Sequence, residues 1–151
     1  PFPGFSAPGD AQRKLTFMCR SSSLPGSTIG VVPVQYFGRE LKFAGNRTFA
    51  EWTMTIINDE DFAIRNAFER WMNGMNSHNL NIRNPVALNP GTYTVDGEII
   101  QYSTLRKYRI TGAFPTDVSP IDLDWGSNDT IEEYTVTLAY QWWDSIDTGV
   151  V

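Results

Sequence analysis

The chain has 151 residues, enough for one domain with its own hydrophobic core and too few for two of ordinary size. Charged residues make up 19% and the net charge at pH 7 is −5, a balance that excludes a disordered tail and lacks the basic footprint of a phosphate-gripping nucleic-acid binder. A single cysteine, Cys19, excludes an internal disulfide and a cysteine-based zinc cluster, and a single histidine, His78, excludes multi-histidine metal sites.

No apolar run approaches the roughly 20 residues of a membrane-spanning helix. The first residues carry neither a basic nor a hydrophobic signal region, so the expectation is a soluble chain with no membrane anchor. Residues 1–13 open with PFPGFSAPG, Pro, Gly and isolated Phe without a period, and read as an extended arm. From Lys14 to Arg20 the residues alternate, with Leu15, Phe17 and Cys19 pointing one way, which predicts a strand with Cys19 as an inert, buried thiol. SSSLPG, from Ser21 to Gly26, is a loop. Val31 to Phe37 and Leu41 to Ala44 read as short strands about Gly38, and Pro33 assigns the first to an edge or a bulge.

Glu51, Thr53 and Thr55 alternate with Trp52, Met54 and Ile56, which predicts a strand with one polar face, free of Lys and Arg, and one apolar face. A helix is predicted over about 59–74, capped by Asn58 or Asp59 and stopped by Gly74, with Ile64, Phe68, Trp71, Met72 and Met75 in one apolar stripe. Asn76 to Pro90 is a polar loop holding His78. Thr92 to Val95 and Glu98 to Tyr102 flank Asp96-Gly97 as a tight hairpin, and Arg106 to Gly112 adds a strand before the loop GAFPTDVSP. The last element, Ile131 to Trp143, sets Tyr134, Val136, Leu138, Tyr140 and Trp142 opposite Glu133, Thr135, Thr137 and Gln141, and residues 144–151 form a tail. Strands around one packed helix predict a mainly β fold, a sandwich or barrel occupying residues 14–143.

Chemistry-bearing patterns are thin. Asp122, Asp124, Asn128 and Glu133 fall at calcium-loop positions, but Ser127 stands where the sharp turn needs glycine and strands flank the segment, so no metal is expected. Asn46-Arg47-Thr48 and Asn128-Asp129-Thr130 fit a glycosylation sequon and read as ordinary turn residues. Glu132 and Glu133 point to opposite faces of a strand and cannot act as an acid and base pair. With no nucleophile elbow, phosphate loop or dinucleotide fingerprint, neither an enzyme nor a cofactor is expected.

Several segments, in order, resemble the tail tube proteins of contractile-tailed bacteriophages of the T-even type: Phe17 and Cys19, Leu24-Pro25, Pro33, Ala44 to Phe49 (AGNRTF), Trp52-Thr53 and Asn58-Asp59. The similarity resumes at Gly112, Pro115-Thr116, Leu123-Asp124-Trp125 and Ser127-Asn128, and ends in the Thr-rich strand Tyr134 to Tyr140. Asn46 stands where that family often carries Asp, and His78 to Arg106 departs from its pattern.

The resemblance implies a structural virion protein made in the host cytoplasm, with hexameric rings stacked into a tube inside a contractile sheath. Sheath, baseplate and tail terminator proteins would be its partners, and each subunit would give four strands to a continuous inner barrel that guides genome ejection. Twenty-four strands about 4.8 Å apart and tilted near 45° enclose a backbone diameter of roughly 50 Å and a bore of about 40 Å, wide enough for a duplex of about 20 Å. Glu51, Thr53, Thr55, Glu133, Thr135 and Thr137 are the expected lumen-facing residues; an acidic, Thr-lined bore lets DNA pass without holding it. Phe2, Phe5, Asn46, Arg47, His78 and Trp143 are the expected subunit contacts. Two other readings stand beside this one. One is the tube of a related injection system, a tailocin or secretion apparatus. The other is a β-sandwich carbohydrate-binding module, which would expose its tryptophans, whereas Trp52, Trp71 and Trp142 fall on apolar faces.

Overall fold

The strand Trp52–Ile57 lies between two other strands because its apolar side chains need cover and its backbone needs partners on both sides. In the computed structural model, which describes residues 9–101, 106–126 and 130–145, this is strand β4. Before it come α1 (Gly9–Met18), β1 (Cys19–Ser22), β2 (Ser27–Tyr36) and β3 (Arg39–Phe49). After it follow α2 (Ala63–Met75), a 3-10 turn (Pro85–Leu88), α3 (Pro90–Tyr93), β5 (Val95–Gln101), β6 (Arg106–Val118), β7 (Glu133–Ala139) and β8 (Trp142–Ser145). One antiparallel sheet has the order β1-β4-β7-β6-β5, with β8 also on β6, and β2 and β3 form a separate two-stranded ribbon. The fold is mainly β, and the larger sheet curls into half a barrel.

Curvature comes from places where the ladder breaks. Register shifts fall between Cys19 and Ser21, Val95 and Gly97, and Pro115 and Asp117, and such bulges bend and twist a strand. At Gly112 the backbone has φ 67°, and a Cβ there would sit 2.8 Å from Cγ of Gln141. The facing strand breaks at the same level, so β7 ends at Ala139 and β8 resumes at Trp142.

The core lies between α2 and one face of the sheet. Ile64, Phe68 and Trp71 meet Met54, Ile56, Tyr134, Val136 and Leu138. The Phe68 and Trp71 rings stack with centroids 6.2 Å apart, and the Trp71 indole N–H donates to the Tyr93 carbonyl at 2.7 Å. Tyr134 is buried, its hydroxyl unpaired among the described residues, and burial, opposed by Arg65 and reinforced by Glu69, holds its phenol well above its ordinary value.

Several expectations are corrected. Lys14 to Met18 belongs to α1, not to a strand, because Ala11, Leu15 and Met18 also recur at helical spacing and it is this face that packs inward. Phe17 is consequently 80% exposed. Residues 9–13 of the expected arm are in α1, and residues 1–8 lie outside the described residues. Helix α2 starts at Ala63, not near 59: Phe62 takes a left-handed φ of 49° before it, and Asp59 and Asp61 instead accept from Lys14 Nζ at 2.5 and 2.9 Å. Gly74 lies inside the helix. Asp96-Gly97 makes no hairpin turn; it forms the bulge in β5, where Asp96 Oδ1 accepts the Gly112 N–H at 3.0 Å. The expected loop after Gly112 continues β6 to Val118. Arg47 and Thr48 are paired residues of β3, and Asn46 lies within the same strand where its register with β2 shifts, not in a turn. Trp142 is 46% exposed, because the break at Tyr140-Gln141 resets the alternation along the last strand.

Gly112→Ala is expected to lower stability by about 1–2 kcal/mol, the strain of an L side chain in the left-handed region, whereas Gly97→Ala, whose Cβ meets nothing within 4 Å, leaves it nearly unchanged; denaturant unfolding of both variants checks this. For Tyr134, the unfolded phenol ionises near pH 10 while the folded one keeps its proton, so stability falls as pH rises above about 10. Tyr134→Phe is expected to remove that share of the decline and to leave stability level, or raised by about 1 kcal/mol, at pH 7.

Candidate lumen-facing sheet face

Directly opposed residues in an antiparallel ladder share a face, and the register between β4 and β7 sets Thr53 against Thr137, Thr55 against Thr135 and Ile57 against Glu133. Five of the six residues expected to face a lumen, Thr53, Thr55, Glu133, Thr135 and Thr137, therefore lie together on the face opposite Met54, Ile56, Tyr134, Val136 and Leu138. The array widens at both sides, through Ser21 opposite Thr55 and Asp117 opposite Thr137. Glu51 is exposed but precedes β4, outside the ladder.

Hydrogen bonds fix the face where the ladder is irregular. Ser119 donates its backbone N–H to the Thr135 carbonyl at 2.8 Å and accepts the Thr135 N–H on its hydroxyl at 2.8 Å. Thr116, the extra residue of the β6 bulge, donates its hydroxyl to the Thr137 carbonyl at 3.2 Å. The face is not free of cations, as the alternation of residues 51–56 suggested: Arg20 Nη1 reaches Glu133 Oε1 in an ion pair. Arg20 comes from β1, a strand that lies next to β4 only after folding. Both partners keep contact with solvent, so this pair adds little stability; it does cancel one of the carboxylates that Glu51, Asp117 and Glu133 present.

Chemically this is an inert surface of hydroxyls, methyls and few charges. Among the described residues no group of three or more His, Cys, Asp or Glu is placed to hold a metal. Asp124 of the calcium-like segment accepts the Gly126 N–H at 3.0 Å in a local turn, and Asn128 lies outside the described residues. Burial pushes the Cys19 thiol above its ordinary value, away from the reactive thiolate form.

The expected contact residues fall on separate elements. Asn46 and Arg47 are exposed on β3, and His78 is exposed after α2, its backbone N–H donating to Asn73 Oδ1 at 3.1 Å. Trp143 is half-buried and packs edge-on against Tyr108 at 5.8 Å within its own sheet. Phe2 and Phe5 lie outside the described residues. The larger contact candidate is one that sequence reasoning missed. Every residue of β2 is exposed, and Ile29, Val31, Val32, Val34, Tyr36, Phe37 and Phe43 line a ribbon with, among the described residues, no third strand and no helix over it. The adjacent pair Val31-Val32 was the available signal, since consecutive apolar residues occupy both faces of a strand. The tryptophans form no sugar platform around Trp52 and Trp71, whose indole N–H groups are bonded within the chain.

A family model described as phage tail tube protein matches residues 4–145. The tail tube protein gp19 of Enterobacteria phage T4 is 31% identical over 137 residues, which cover 87% of this chain and 82% of that protein. The tail tube protein of Serratia phage KSP90 is 27% identical over 143 residues, 92% of this chain and 79% of that one. Among solved structures, a chain of the sheath/tube terminator of an extracellular contractile injection system aligns with a TM-score of 0.62 at 16% identity, covering 84% of each chain. A chain of the tube-terminating cap of the anti-feeding prophage aligns with a TM-score of 0.60 at 17% identity, covering 96% of this chain and 90% of that one. At those identities the structural likeness speaks for the fold, while the sequence relatives speak for the family. A half-barrel sheet sealed by α2 on one side and polar on the other, carried on a sequence that matches from residue 4 to residue 145, makes this chain a member of the phage tail tube protein family.

Proposed function

We propose that copies of this chain close into six-membered rings and that the rings stack into the inner tube of a contractile phage tail, the conduit through which the genome leaves. One observation carries this reading: the curled sheet has its apolar face sealed by α2, its other face lined by threonines, and, among the described residues, free edges at β1 and β5. A curled sheet with open edges is incomplete alone, and pairing the edge of one subunit with the edge of the next removes them by forming a barrel. Such contacts are head-to-tail and close only at a fixed number of copies.

In this arrangement Thr53, Thr55, Glu133, Thr135 and Thr137 face the bore, with Glu51 and Asp117 beside them. Hydroxyls and carboxylates on a chain of net charge −5, with Arg20 held by Glu133, give phosphate little to bind, so DNA moves through without being held. The apolar β2–β3 ribbon, with Asn46 and Arg47, is the main subunit contact, and His78, Trp143, Phe2 and Phe5 are secondary ones. The protein is structural, without catalysis or cofactor, and works in the virion after synthesis in the host cytoplasm. A sheath outside, a baseplate at one end and a terminator at the other are its partners; solved chains of similar fold come from a sheath-tube complex, a baseplate and a tube terminator. Those same folds support a second reading, the tube of a contractile injection system with another cargo.

Negative-stain electron microscopy of the purified protein over a concentration series is expected to show six-fold rings or hollow tubes; monomers at every concentration, with and without a baseplate template, would contradict the conduit. In phage carrying Glu51→Lys and Glu133→Lys, tubes are expected to assemble while genome ejection slows, as the bore gains cations that attract phosphate. Ejection at the unmodified rate would remove these residues from the bore.

A further inference from the structure

The β2–β3 hairpin turns through Phe37 and Gly38, with φ values of 41° and 85°. Two central residues with positive φ suit a twisted hairpin, but the first of them is ordinarily Asn, Asp or Gly. Phenylalanine there strains the backbone and leaves its ring 94% exposed, touching only the neighbouring Tyr36 ring edge-on at 4.7 Å among the aromatic contacts of the described residues. Neither turn chemistry nor the core of its own subunit accounts for this residue. The ten residues of β2 make a projection roughly 30 Å long, and among the described residues its sole ladder is with β3, so the tip is carried away from the sheet of its own chain.

The body of the molecule carries a receptacle of matching chemistry. A cavity of about 440 Å³ opens between α1, α2 and β5, with Trp52, Phe68, Trp71 and Leu138 in its lining. At its mouth stand Asp96 and Arg109, both half exposed and 3.7 Å apart. The half-buried Trp52 ring, over a floor of the buried Phe68 and Trp71, favours an inserted ring edge-to-face, a guanidinium at the rim favours a ring face, and a carboxylate there can accept the Tyr36 hydroxyl.

We propose that Phe37, with Tyr36 beside it, plugs this cavity on a second copy of the chain. The proposal rests on the self-assembly reading above and names the contact that links one copy to the next. Knob and cavity lie at different places on one subunit, so the contact is heterologous and propagates from copy to copy.

Phe37→Asn separates fold from assembly, because Asn is the better turn residue: the unfolding midpoint of the monomer is expected to hold or rise. The concentration needed for tubes is expected to rise by roughly tenfold or more, the size of effect of an aromatic hot spot. Gly97 lines the cavity, and a Cβ there meets nothing within 4 Å, so Gly97→Leu fills the cavity from the other side of the contact and is expected to raise the same threshold. Mixed together, the two variants should assemble at a lower threshold than either alone, since the intact knob of one fits the intact cavity of the other. Tubes forming from either variant at the unmodified threshold would overturn the proposal. Failure of the unmodified chain to assemble at all would overturn the conduit reading and this contact with it.

Discussion

Everything else in this molecule depends on the packing of one helix against one face of one sheet. Ile64, Phe68 and Trp71 of α2 bury Met54, Ile56, Tyr134, Val136 and Leu138, and in a strand the side-chain period of two leaves no freedom after that choice. Thr53, Thr55, Thr135 and Thr137 must then face the other way. A shift of one residue in the pairing of β4 with β7 would bring threonines into the core and methionine, isoleucine and valine to the outside, so the core itself enforces the chemistry of the opposite surface.

The second constraint is curvature. Gly112 lets β6 take a positive φ where Gln141 packs across it, and the bulges at Cys19, Val95 and Pro115 turn the neighbouring strands. The result is a curled sheet in which, among the described residues, the edges of β1 and β5 are unpaired. Helix α1 closes one margin, where Ala11 is buried and Lys14 bridges the Asp59 and Asp61 carboxylates. Among the described residues a monomer of this shape exposes a strand edge at each end of its sheet and an apolar hairpin, liabilities for a free protein that the proposed assembly would cover.

How far the fold can be read from the chain depends on how periodic each segment is. The strands around Met54 and Val136 and the stripe of α2 are long and strongly periodic, and they emerged with the correct inner and outer faces. That was also enough to find most of the threonine face. The segment 14–20 misled because Leu15, Phe17 and Cys19 alternate while Ala11, Leu15 and Met18 keep helical spacing, and the packing of that second face against the core decides between them. Asp96-Gly97 carries turn chemistry but is used for a bulge, since the Asp96 carboxylate is taken by the Gly112 amide. Arg20 could not be placed on the polar face from local pattern, because its partner Glu133 is 113 positions away. The hairpin was cut short for a similar reason: Asn46-Arg47-Thr48 looks like a turn until Gly30 and Gly45 are brought against each other across the ribbon.

The role of this sheet depends on which of its surfaces faces the inside of an assembly. A cryo-electron microscopy reconstruction of the tube at side-chain detail answers that directly. Thr53, Thr55, Thr135 and Thr137 should project into the bore, with α2 on the outer side of the sheet and the β2–β3 hairpin covered by a neighbouring copy. A reconstruction with α2 facing the bore, or with the threonine face turned outward, would contradict it.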